Sequence, residues 1–275
     1  MNIGLIILSF VAGVLGTFMG ATQTFIGTGF FGLVLVILTL MGIQGAPIDF
    51  LNNIVLNDFF APCVIFNGAV VATAYAAKHH DIRGVDTNRS LLFTKDWKVF
   101  LSGGIGATLG YLIFCLLNYL EVPADTGALT IIVINSVTRL LFNKDQWINK
   151  KPMTPSLFAT MNLLLFQCIL ALCVSIITIA AIRITNIMSI TFYISAFSLI
   201  FSLKNPSFPV THHISMITAY MFVQSGDVLL SIIFGIFAHM CFTLFVKYFN
   251  IDCGTHIDPP AVVIGTLSFI IFTVF

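Results

Sequence analysis

The chain has 275 residues, 58% of them hydrophobic and only 8% charged. A soluble domain carries roughly 25% charged residues, so this composition excludes a water-soluble globular protein and points to a multi-pass protein of the membrane. A net charge of +1 provides no basic field for nucleic acid, and six cysteines without a C-x-x-C pair provide neither a disulfide framework nor a zinc finger.

Ten apolar segments follow in chain order, at about 3–25, 28–43, 59–77, 98–120, 126–143, 156–182, 187–203, 210–225, 228–249 and 258–275. Crossing a bilayer takes about 17–25 such residues. Met1-Asn2 leads straight into apolar sequence without a basic region or cleavage site, so the first segment is expected to be retained as a helix. Within it, Gly16 and Gly20 form a G-x-x-x-G pattern, which favours close helix packing. The same glycines would also let the chain unwind near Thr22 to Thr24. Several later segments are short for a full span, a feature that marks binding sites in transporters.

The basic residues orient these segments. With the N-terminus outside, Lys78, Arg83, Arg89, Lys95, Lys98, Arg139, Lys144, Lys150, Lys151, Lys204 and Lys247 fall on the cytoplasmic side, leaving only Arg183 outside. Eleven of twelve on one side fits the positive-inside rule. Both termini are then extracytoplasmic, in the cell membrane.

The polar stretch 144–155 divides the chain into a first five-helix unit, 1–143, and a second, 156–275. Five is odd, so the second unit enters from the opposite side, and a duplication becomes an inverted repeat. A duplication is legible. Ser102, Gly106, Tyr119 and Thr126 recur 129 residues later as Ser231, Gly235, Tyr248 and Thr255. Thr73-Ala74-Tyr75 recurs 145 residues later as Thr218-Ala219-Tyr220. The expected fold is therefore an all-α integral membrane protein of about ten transmembrane helices, arranged as two inverted repeats with short or broken helices at their interface.

Polar residues cluster where the third, fifth, eighth and tenth segments begin. A helix starting inside the membrane leaves its first amides free for an electronegative group. Asn67, Asp125, Thr126, Thr211, His212, His213, Thr255, His256 and Asp258 are the candidate substrate-binding residues on this argument. Asp58, Asp125, His256 and Asp258 are the candidates for proton or cation coupling, since an ionisable group at membrane depth is costly unless it serves a polar pathway. Helix capping is the competing explanation for Asp125 and for Asp258 before Pro259. His212, His256 and Asp258 have the ligand types for a divalent metal, but without His-x-x-x-His spacing metal binding is the weaker reading. No cofactor is expected. His239 reads as a hydrogen-bonded packing residue, and His79 and His80 as solvated.

The segments Pro209-Val210-Thr211-His212-His213-Ile214-Ser215, Gly254-Thr255-His256-Ile257-Asp258-Pro259-Pro260-Ala261 and Ala124-Asp125-Thr126-Gly127-Ala128-Leu129-Thr130 resemble those of poorly characterised bacterial multi-pass proteins with permease-type labels. That resemblance implies membrane transport without naming a substrate. The five-plus-five plan is similar to urea-channel-type folds in architecture only, because their paired Asn-Pro pore signature has no match here.

The expected function is a small secondary transporter or channel for a polar or anionic solute, bound between the repeats. Its partners would be the bilayer, a small solute or ion, and a second copy of the chain as a candidate homo-oligomer. An intramembrane enzyme or metal-ion transporter would instead need converging His and Asp side chains, and no H-E-x-x-H or G-x-S-x-G is present. A non-transporting membrane subunit would have no continuous polar cavity.

Overall fold

The computed structural model describes residues 2–143, 146–149 and 161–275, which are helical throughout apart from turns and one isolated bridge between Gly84 and Thr255. Helices α1 (Ile3–Met19) and α2 (Ala21–Leu40) come first. A single turn, α3 (Ala46–Asp49), runs into a π-helical stretch, Phe50–Phe59. A second π-helical stretch, Pro62–Phe66, leads into α4 (Asn67–His79). Helices α5 (Trp97–Tyr119) and α6 (Thr126–Asn143) complete the first part. Helices α7 (Met161–Thr185), α8 (Ile190–Ser198, with a 3-10 extension to Leu203), α9 (His212–Ser225), α10 (Val228–Phe249) and α11 (Pro259–Val274) form the second.

Among the described residues, six helical runs are long and apolar enough to cross a membrane: Ala21–Leu40, Ala46–His79, Trp97–Tyr119, Thr126–Asn143, Met161–Thr185 and Val228–Phe249. Ile3–Met19, Ile190–Leu203 and Pro259–Val274 are shorter apolar helices. The outer faces are apolar. On α7, Leu165, Phe166, Ile169, Ile176 and Ile177 are exposed, while Ser175 and Thr178 are buried. Exposed apolar faces of this extent are rare on soluble proteins. Hydrocarbon chains would cover them at no cost, so the composition and the surface describe the same membrane-type protein.

Each expected apolar segment falls on a helix, with residues 156–160 outside the described residues. The boundaries differ in one informative place. The first segment does not continue to residue 25. It ends at Met19, because Gly20 adopts φ +102°, and α2 starts at once. Hydropathy is continuous across this point, and only the glycine backbone allows the break. Of the expected linker 144–155, only residues 146–149 are described.

The polar connection after α4 is not a free loop. The Thr22 amide donates to the Thr87 carbonyl (3.0 Å), Gln23 Nε2 to the Asn88 carbonyl (2.7 Å) and the Leu91 amide to the Thr17 carbonyl (3.2 Å). Leu91 is buried. The connection is thereby pinned under the α1–α2 junction.

Within the first part, α1 packs on α4 and α5, α4 packs on α5 and α6, and α5 packs on α6. In the second part α7 packs on α9 and α10, α9 on α10 and α11, and α10 on α11. Between the parts, the dominant contacts are α2 with α8 and α6 with α11.

Small residues allow the closest approach. A Cβ at Gly13 would sit 2.2 Å from the Gly103 carbonyl oxygen, and one at Gly103 would sit 2.0 Å from Thr17 Oγ1 and 2.9 Å from the Gly13 carbonyl. Backbone atoms cannot yield cheaply, so Gly103→Val should push α5 away from α1. Overpacking costs about 1–3 kcal/mol, which corresponds to roughly 3–10 °C in thermal midpoint for a chain of this size. Leu109→Val, on the exposed face of the same helix, serves as the control. Equal midpoints in detergent for the two variants would refute this packing.

Candidate functional site

The polar helix starts meet in the interior, and hydrogen bonds show how. Asp125 caps α6. Its Oδ1 accepts the Ala128 amide (2.8 Å) and its Oδ2 accepts the Tyr220 hydroxyl (2.6 Å). Its own amide donates to Ser268 Oγ on α11 (2.8 Å). Asp258 caps α11, with Oδ2 accepting the Ala261 amide (2.9 Å). Its amide donates to Asn135 Oδ1 on α6 (3.0 Å). Each cap thus spans to a side chain on the other's helix. Capping, the competing explanation for both aspartates, is real, yet it does not exhaust their contacts.

Asn135 extends this network. Its Nδ2 donates to Asn67 Oδ1 (2.9 Å), and Asn67 Nδ2 donates to the Cys63 carbonyl (3.0 Å). Asn67 and Asn135 are fully buried. The chain Asp258–Asn135–Asn67–Cys63 ties α11, α6 and the start of α4 together without leaving either amide unsatisfied.

Two cavities border these residues. One, of about 300 Å³, is lined by Phe25, Phe66, Val210, His212, His256 and Asp258, and it reaches Thr87, Asn88 and Ser202. The other, of about 330 Å³, is lined by Phe25, Asp125, Tyr193, His212, Tyr220 and Asp258, and it reaches Asn57 and Ser189. Phe25, His212 and Asp258 line both, so they form the partition between the cavities. No Lys or Arg is among the lining residues of either.

The remaining expected site residues divide. His212 is 5% exposed, and its ring lies 4.6 Å from that of Phe25. His213 points elsewhere, as adjacent helix positions must. Its Nε2 lies 3.0 Å from His239 Nδ1, and His239 Nε2 in turn contacts Gln167 Oε1. His213 and His239 are therefore packing residues linking α9, α10 and α7. His256 reaches Asp258 (3.3 Å) and Asn250 (3.2 Å). Thr126 turns away and bonds Asn118 (2.7 Å), and Thr211 lines a separate small cavity. Asp58 is half-buried and lines neither cavity, although its neighbour Asn57 lines one. Thr255 is fully buried against Arg139 and also lines neither.

The candidate metal set does not close. His256 and Asp258 meet, but His212 faces aromatic rings, and the described residues contain no group of three or more His, Cys, Asp or Glu able to hold a metal ion.

The sequence counted Arg139 among the charges of the cytoplasmic side, and the structure adds that its side chain is fully buried on α6. Its guanidinium donates to the Trp147 carbonyl (2.9 Å), to Thr255 Oγ1 (3.3 Å), to the Thr255 carbonyl and to Asn250 Oδ1 (3.5 Å). The signal was present: Asn135 and Arg139 are i and i+4, hence on one face of α6. Asn250 Oδ1 also accepts the Ile257 amide (3.1 Å), so Arg139 anchors the whole loop before α11. Burial raises the Cys253 thiol in this loop above its ordinary pKa, so it is a neutral thiol and a poor nucleophile. Tyr220, Asn135 and Ser268 were also missed, because nothing local marks a polar residue in mid-helix as the partner of a distant cap.

An all-helical, membrane-type chain with polar helix starts around two internal cavities is the class that fold and site define. The chain belongs to a family of unknown function (DUF7973), whose family model matches residues 1–147 and 165–275. No curated protein and no solved structure matches it.

Arg139→Met should free the loop around Cys253. In a protein whose only cysteine is Cys253, maleimide labelling should accelerate roughly tenfold, the ratio that corresponds to about 1.4 kcal/mol lost from the closed loop. An unchanged labelling rate would mean that Arg139 is not the anchor.

Proposed function

We propose that the protein is a small secondary transporter or channel, and that its solute passes through a site between two inverted repeats in the cell membrane. The observation carrying this reading is the pair of cavities that share only Phe25, His212 and Asp258. A closed partition between two vestibules, each with a few polar groups in a mainly apolar wall, suits alternating access.

The repeat is supported by the packing. Equivalent helices keep equivalent neighbours in each half, and the two contacts between halves pair α2 with α8 and α6 with α11. These are the second and last helices of each unit, each meeting its own counterpart. A two-fold axis produces self-pairing of this kind, in which residue i meets j and j meets i. The cap bonds follow the same rule. Asp125 to Asp258 and Asn135 to Ser268 are both separated by 133 residues, and each aspartate's amide bonds the other unit's member of the second pair. These bonds support a register that pairs Asp125 with Asp258, rather than Thr126 with Thr255, the second break being longer by four residues.

The lining also bears on the solute. Two carboxylates and no Lys or Arg border the cavities. A free anion would meet like charge there, so the lining favours a neutral, zwitterionic or cationic solute over a bare anion. A volume near 300 Å³ lies at the lower end of ligand pockets, which fits a small solute. Asp258 borders both cavities and contacts His256, which makes this pair the strongest candidate for coupling to a proton or cation.

Side-specific labelling tests the arrangement. Cysteines at Asn88 and Ser202 should react with an impermeant maleimide from the cytoplasmic face only, and cysteines at Asn57 and Ser189 from the outer face only. Labelling of all four from one face would sink the two-vestibule reading. In proteoliposomes offered a panel of polar solutes and ions from outside, uptake above protein-free vesicles is expected, with a loss of roughly tenfold or more in His256→Ala and Asp125→Asn. Uptake equal to that of the wild type in both variants would remove these residues from the pathway.

A further inference from the structure

Of the two cavities beside the partition, one borders both interior carboxylates. This cavity, of about 330 Å³, is lined by Asp125 and Asp258, and no Lys or Arg lines it. Asp258 meets His256 (3.3 Å). Asp125 has no such partner. Its carboxylate accepts the Ala128 amide and the Tyr220 hydroxyl, and among the described residues it forms no ion pair. A carboxylate charge at membrane depth is costly unless a cation or a polar pathway meets it. Two hydrogen bonds also leave acceptor positions open, since an ionised carboxylate has about four.

The walls around Asp125 are rich in aromatic rings. Phe25, Phe192, Tyr193 and Tyr220 line this cavity. The faces of such rings attract a cation, and alkyl groups pack well against them.

The second observation comes from His212. It is 5% exposed and lines the same cavity, yet its Nδ1 has no hydrogen-bond partner among the described residues. Such an atom calls for a partner. The first half shows what a filled position looks like. His212 stands 145 residues after Asn67, the offset that also carries Thr73-Ala74-Tyr75 onto Thr218-Ala219-Tyr220. Asn67 is satisfied by Asn135 and the Cys63 carbonyl. A neutral imidazole offers one acceptor nitrogen, which an N–H or O–H donor can fill.

Resting on the transport reading above, we propose that this cavity binds a small organic ammonium ion. The Asp125 carboxylate supplies the counter-charge, the rings receive the alkyl groups, and an N–H or hydroxyl of the solute fills the open position of His212. An anion would meet two carboxylates with no Lys or Arg to offset them. A metal ion would need several hard or nitrogen ligands at once, and the described residues contain no group of three or more His, Cys, Asp or Glu able to hold one.

The test uses the full chain, in detergent for binding and in liposomes for uptake, at constant ionic strength. The probes are ethylammonium and choline as organic cations, sodium as an inorganic cation, propionate as an anion and urea as a neutral solute. At least one organic cation should raise the thermal midpoint in a saturable way. The same cation should enter roughly ten times faster than propionate or urea, each rate taken above protein-free vesicles. Asp125→Asn removes the charge but keeps a competent helix cap, and should weaken binding of that cation roughly tenfold or more. Phe192→Leu keeps an apolar wall without the ring, and should weaken it about threefold. No midpoint shift with either organic cation, or tighter binding of sodium, propionate or urea, would overturn the site, and transport would stand if another probe entered. Wild-type affinity in folded Asp125→Asn would overturn the site as well. Should that variant fail to fold, wild-type affinity in Phe192→Leu would decide the matter in the same way. Saturable binding of an organic cation without entry of any probe would leave the site standing and overturn the transport reading.

Discussion

A helix that begins inside an apolar layer must find partners for its first amides, and the rest of this structure follows from that constraint. Water is the usual partner at a helix start, and hydrocarbon offers none. Asp125 and Asp258 meet the need for α6 and α11 with their side chains, which also hold Tyr220 and His256. Having been drawn inside, each aspartate then holds the opposite helix through its own amide. A local capping requirement thereby becomes the contact that joins the two halves of the chain.

The same logic explains the buried Arg139. A guanidinium in an apolar interior is tolerated only when its donors are filled. Here carbonyls of Trp147 and Thr255, with Thr255 Oγ1 and Asn250 Oδ1, fill them instead of a carboxylate. The positive charge thus organises the loop that carries His256 and presents Asp258 at its end. The network through Asn135 and Asn67 continues this into α4. Many polar atoms are spent on holding helix ends in place, while His212, whose Nδ1 has no partner among the described residues, borders the cavities.

Much of this was legible in the sequence, at a coarse level. Apolar runs located the helices, because hydropathy responds to burial in any apolar medium. Asp258-Pro259 announced a helix start through residue chemistry alone. The break at Gly20 was not legible, since an apolar run looks the same on either side of a backbone kink. The role of Arg139 was hidden for a related reason: a basic residue near a span end reads as a solvated charge unless its neighbours in space are known. His212 and His213 show the limit most simply. Their adjacency implied different directions, but only the packing of α9 among α2, α8 and α10 decided that His212 meets the cavities and His213 meets His239.

By itself, then, the sequence determined an all-helical, apolar chain with polar residues gathered at particular helix starts. Those features depend on composition and on spacing along one segment. Tertiary structure decided what the caps hold, since the amides of Asp125 and Asp258 bond Ser268 and Asn135 on each other's helices. It also decided that Phe25, His212 and Asp258 stand between the two cavities. Both depend on which atoms meet across more than a hundred residues of chain, and a contact between distant segments leaves no periodicity in either of them.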